Sequence, residues 1–64
     1  MAITLKAARV NVGLTQEEAA KELGISRATL LNYEAGKTTP DIDRAKQIAN
    51  LYKTSVDDLI FSAN

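Results

Sequence analysis

The 64-residue chain has no cysteine, no histidine and no tryptophan; it holds one proline, three glycines, two tyrosines and one phenylalanine. The missing cysteines exclude a disulfide framework, and a metal site built on His or Cys has no ligands to use. No apolar run approaches the ~18 residues of a membrane span. After Met1, the stretch "AITLKAARV" lacks the apolar segment of a secretory signal, so the protein is expected to be soluble and cytoplasmic. Neither charge sign dominates, because eight Lys and Arg cancel eight Asp and Glu. That argues against a non-specific polycation and leaves charge placement to decide on nucleic acid.

A chain this short buries only roughly 60% of the surface its unfolded form exposes, so its core must come from economical packing. Below about 70–80 residues such domains often lean on a partner subunit, which makes a homodimer a reasonable expectation. There is no Gly-rich phosphate loop, and so small a fold can hardly enclose a pocket of several hundred Å³. Catalysis is the weakest reading; no enzyme activity, cofactor, metal or small-molecule ligand is expected.

What is present is clear punctuation. Gly13, Gly24 and Gly36 each fall just after a helical pattern, where a left-handed residue commonly closes a helix. Thr15 with Glu18 three residues on, Ser26, Asp41 after Pro40, and Ser55 with Asp58 are candidate N-terminal caps. Apolar residues recur at helical spacing through Leu5, Ala8 and Val12, Ala19, Ala20 and Leu23, Leu30 and Tyr33, Ile42 to Tyr52, and Val56 to Ile60. No strand-like alternation competes. The expected fold is all-α: five helices at about 4–12, 16–23, 27–35, 42–52 and 56–61, in one domain spanning 1–64, ordered over about 4–61, with a frayed "SAN" tail.

The stretch "AAKELGISRATLLNYEAGK" breaks one helix at Gly24 and starts another at Ser26, the signature of a helix-turn-helix. Ala20 is small enough for close approach, Ile25 covers the turn, and Leu30 fills the angle between the helices. At about 100° per residue, Leu30, Tyr33 and Glu34 share one side of the second of these helices and Ala28, Asn32 and Ala35 the other. The free side is small and polar, which suits a major groove about 12 Å wide. Leu31, beside it, is the exception.

The residue chemistry fits that placement. Arg27 can give bidentate hydrogen bonds to guanine, Asn32 can pair with the adenine edge, and Ala28 or the Thr29 methyl can meet a thymine methyl. Gln16, opening the preceding helix, can donate to a phosphate together with free backbone N–H groups. Lys37, Thr38 and Thr39 are offered to the adjacent DNA backbone. Ser26 is a cap first and a phosphate donor second.

In "LKAARVNVGLTQEEAA", "LGISRATLLNYEAGK", Pro40 and "LYKTSVDDLI" the chain resembles the Cro/repressor-type, or XRE-like, helix-turn-helix regulators of phages and bacteria. The likeness covers residues 4–61. It implies a five-helix lambda-repressor-like fold, double-stranded DNA bound as a homodimer on a near-palindromic operator, and transcriptional control, most readily repression. Carried over by position, it makes Gln16 a phosphate contact and Arg27, Ala28 and Asn32 base readers, with Ser26 and Thr29 nearby. It also pairs Arg9 with Glu34 as an internal ion pair, and Glu34 does fall on the inward side of its helix. Ala35 and Ala19 depart from the family pattern, standing where a polar residue and a leucine are common.

Val56, Leu59, Ile60 and Phe61 are more apolar than a short final helix needs, so Leu59 and Phe61 are candidate dimer contacts. The competing reading is a protein-interaction module, an antitoxin or an inhibitor of another regulator that keeps the helix-turn-helix shape. Zero net charge and Leu31 lean that way; the polar side of the helix and Gln16 lean more strongly toward DNA.

Overall fold

The computed structural model describes residues 2–61. The "SAN" tail expected to fray lies outside the described residues. The elements run β1 (Ile3–Thr4), α1 (Leu5–Asn11), α2 (Gln16–Leu23), α3 (Arg27–Glu34), α4 (Ile42–Leu51), a single 3-10 turn (Val56–Asp58) and β2 (Leu59–Ile60). The molecule is mainly helical, with extents of 26 × 23 × 20 Å.

Each α-helix starts on an oxygen-bearing side chain. Thr4, Thr15, Ser26 and Asp41 accept from the backbone N–H of Ala7, Glu18, Thr29 and Arg44 respectively. At α2 the arrangement is reciprocal, because the Glu18 carboxylate also accepts from the Thr15 N–H at 2.9 Å. Two otherwise orphaned donors are thereby satisfied. The same contacts hold the Glu18 carboxyl below the usual carboxylate range, chiefly through the Thr15 backbone hydrogen bond.

Each α-helix also stops in the same way. After α2, Ile25 N–H donates to Ala20 C=O at 3.0 Å and Gly24 N–H to Lys21 C=O at 3.1 Å, a Schellman closure that needs a left-handed residue at the turn. Gly24 provides it, at φ +70°. The same pair of bonds closes α1 at Gly13, α3 at Gly36 and α4 at Lys53. Lys53, at φ 57°, is the one residue with a Cβ in that role.

The core gathers Leu5, Ala8, Ala19, Ala20, Leu23, Leu30, Ile48, Ala49, Tyr52 and Leu59, with Val12, Leu14, Ile25, Tyr33 and Phe61 packed against it. Among the helices, α2 and α3 pack most extensively on each other. Two of the three buried residues of α2 are small, Ala19 and Ala20. At the C-terminal end of α2, Arg44 of α4 donates to the Leu23 carbonyl, a cation on the negative end of a helix. So α4 clamps the point where α2 turns toward α3.

The fold corrects two expectations. Among the described residues there are four α-helices rather than five, and the segment expected as a helix over 56–61 is a 3-10 turn followed by a strand. Leu59 is already extended, at φ −82° and ψ 136°. β1 and β2 pair in parallel, Ile3 with Leu59 and Thr4 with Ile60. The apolar spacing of Val56, Leu59 and Ile60 was helix-like, but a run this short fits either state. What decides is tertiary: the extended form pairs backbone groups at the two ends of the described chain while turning Leu59 inward. Leu59 is 7% exposed, so its side chain packs into the chain's own core. Phe61 is half-buried against that core.

Candidate nucleic-acid interface

The placement of α3 follows from its own sequence. Leu30 is fully buried at 0% exposure and Tyr33 is half-buried against the core. Arg27, Ala28, Leu31 and Ala35 are exposed, with Thr29 and Asn32 half-exposed. The inward anchors therefore leave a surface of one guanidinium, one amide, one hydroxyl and small carbons facing outward. Leu31 interrupts it at 37% exposure.

Ser26 is committed to the start of α3. Its oxygen accepts from Thr29 N–H at 3.1 Å, and its hydroxyl shares a 2.9 Å hydrogen bond with the Thr29 hydroxyl. Lys37 and Thr38 follow α3 on the exposed turn, their N–H groups both directed to the Asn32 carbonyl. That turn therefore folds back on the last turn of α3.

Arg9 and Glu34 meet beneath this surface. Arg9 Nε donates to Glu34 Oε2 at 2.7 Å, with side-chain exposures of 8% and 7%. A second Arg9 nitrogen donates to the Leu14 carbonyl at 2.9 Å, tying the α1–α2 connection to α3. A charge taken this far from water needs such a partner.

The sequence did not indicate what Glu34 does with its other oxygen. Glu34 Oε1 accepts from Gln16 Nε2 at 3.2 Å, and Gln16 Oε1 accepts from an Arg27 guanidinium nitrogen at 3.3 Å. Gln16 and Arg27, assigned separately to phosphate and base, thus sit side by side. With Thr15 and Glu17 they line an open depression of about 310 Å³. The signal lay in residues of opposite hydrogen-bonding polarity at 16, 27 and 34, legible only once α2 and α3 are placed against each other.

Among the described residues no cluster of acidic, His or Cys side chains suits a metal ion, and no helix is long and apolar enough to cross a membrane. The arrangement of α2, the turn through Gly24 and Ile25, and α3 with its exposed polar side is matched by the helix-turn-helix family model over residues 5–59. The chain belongs to the XRE-type helix-turn-helix family.

Relatives that match this chain are named HTH-type transcriptional regulators. The chain is 45% identical over 56 residues to the HTH-type transcriptional regulator ImmR of Bacillus subtilis, covering 88% of this chain and 44% of that protein. It is 39% identical over 51 residues to an HTH-type transcriptional regulator of Archaeoglobus fulgidus, covering 80% and 73%. It is 33% identical over 52 residues to the cryptic phage CTXphi transcriptional repressor RstR of Vibrio cholerae, covering 81% and 47%. The chain thus spans less than half the length of ImmR and RstR and nearly three quarters of the archaeal relative. No solved structure matches it.

Proposed function

We propose that this helix-turn-helix protein is a sequence-specific regulator that reads double-stranded DNA by laying α3 in the major groove. The observation that carries the reading is the division of α3, with Leu30 wholly buried and Arg27, Ala28, Thr29 and Asn32 on accessible positions. An eight-residue helix is about 12 Å long, comparable to the groove width. Arg27 takes a guanine edge, Asn32 an adenine edge, and Ala28 and Thr29 a thymine methyl. Gln16, Lys37, Thr38 and secondarily Ser26 hold the phosphates on either side and set the register.

Two copies related by a dyad would present α3 to half-sites about 10 bp apart, giving a near-palindromic operator. RstR, a relative, is named a repressor, and BcrR of Enterococcus faecalis, another relative, an activator; we propose repression. A second reading, a protein-interaction module, draws on three apolar side chains left in solvent, Val10 at 56%, Leu31 at 37% and Ile42 at 60%.

Selection of bound sites from a pool of random duplexes separates the two. The regulator yields a palindromic consensus whose affinity falls linearly in log salt. Absence of enrichment at low salt overturns it in favour of the interaction module.

A further inference from the structure

We infer that Glu34 is a specificity-positioning residue: through Gln16, it sets the aim of Arg27 at its base. This rests on the DNA-reading function proposed above and extends it to a residue that touches no DNA. The contacts form one chain, Leu14 C=O to Arg9 to Glu34 to Gln16 to Arg27, with separations of 2.9, 2.7, 3.2 and 3.3 Å.

The chemistry fixes the direction of every link. Arg9 occupies Glu34 Oε2, leaving Oε1 as an acceptor beneath α2. A carboxylate oxygen can only accept and a guanidinium can only donate, so the group between them must donate on one side and accept on the other. A side-chain amide does both. Glu34 takes the NH₂ end of Gln16 and thereby turns the carbonyl end toward Arg27. Reversing the amide would set NH₂ against guanidinium and oxygen against carboxylate, so the orientation is locked from below.

The consequence lies at the surface. Arg27 is exposed and carries a long side chain that would otherwise lose its rotamer freedom only on meeting DNA, at a cost of binding free energy. Held by the Gln16 oxygen, it is partly ordered before the duplex arrives. Gln16 keeps a second N–H for a phosphate, so the backbone contact and the base contact on either side of the depression share one amide. Arg9 occupies one oxygen of Glu34, which steadies the anchor, because the ion pair joins α1 to α3.

The test compares Glu34→Gln, Gln16→Met and Arg27→Ala in the 64-residue chain. Discrimination is scored at each base pair of the selected consensus as the ratio of affinities for matched and single-substituted duplexes. A ratio taken on one protein cancels any difference in its folded fraction. Arg27→Ala identifies the base pair that Arg27 reads. At that pair Glu34→Gln and Gln16→Met should each lower discrimination about tenfold, within the range one bidentate contact supplies. Discrimination at the pair read by Asn32 should stay unchanged, and either variant combined with Arg27→Ala should add no further loss there.

Unchanged discrimination at the Arg27 pair, or an equal fall at the Asn32 pair, overturns the inference while leaving DNA reading intact. Should Glu34→Gln not fold, Glu34→Asp, which keeps the charge beside Arg9 and shortens the reach to Gln16, takes its place, and unchanged discrimination at the Arg27 pair in that variant overturns the inference. A parent chain that selects no consensus overturns the DNA-reading function and this inference together.

Discussion

Arg9 Nε and Glu34 Oε2 lie 2.7 Å apart with both side chains more than nine-tenths buried, so the fold carries a buried charge pair under the surface proposed to meet DNA. Removing one member leaves the other unpaired out of water, at a cost of roughly 3–5 kcal/mol. A 64-residue domain has only about 3–10 kcal/mol in total. Urea denaturation of Arg9→Met should therefore show most of the stability gone. The double variant Arg9→Met, Glu34→Met should recover part of it, because no buried charge remains.

The helix ends make a second prediction. A Cβ built at Gly24 meets nothing within 4 Å, so Gly24→Ala is penalised by its left-handed backbone alone, about 1–2 kcal/mol. Gly24→Asn should cost less, since Asn tolerates that region. Lys53 holds the same position after α4 at φ 57°. Lys53→Gly should accordingly gain about 0.5–1 kcal/mol, net of the added freedom of the unfolded chain. Thermal melts of the three variants check both signs.

Tyr52 is 3% exposed, and its hydroxyl has no hydrogen-bond partner among the described residues. Tyr52→Phe should leave stability unchanged or raise it by about 1 kcal/mol. Burial first, and the nearby Glu34 charge second, push the Tyr52 phenol up from 10.0 to about 12, against an opposing influence from Arg9. The unfolded chain ionises first as pH rises, so the stabilising contribution is whole below pH 10.0 and is lost as pH climbs through about 12. Stability followed over that window should fall more steeply in the parent than in Tyr52→Phe.

Leu59 and Phe61 should part company. Leu59 is in the core, so Leu59→Ala should cost about 2–5 kcal/mol in a denaturation experiment. If Phe61 carries the proposed dimer contact, Phe61→Ala should shift sedimentation toward the monomer at concentrations where the parent associates. An unaltered sedimentation profile removes Phe61 from that role.

The helix-turn-helix was legible because local chemistry and packing agree there. Thr15, Gly24 and Ser26 state where α2 and α3 begin and end, and Leu30 states which way α3 faces. Glycine placement likewise predicted three of the four helix closures. The fourth was hidden because nothing local marks Lys53 as left-handed. Thr4 escaped notice as the cap of α1, and the β1–β2 pair escaped because two-residue strands carry no alternation and their partners lie at opposite ends of the sequence. The Gln16 link was hidden for a related reason, since α2 and α3 must already be docked before its amide can face Glu34 on one side and Arg27 on the other.

The most direct measurement is the affinity of Asn32→Ala for the selected consensus and for each of its single-base variants. Reading of base edges by α3 predicts that discrimination weakens at one base pair, by about 1–3 kcal/mol, and persists at the others. Equal weakening at every position would contradict it.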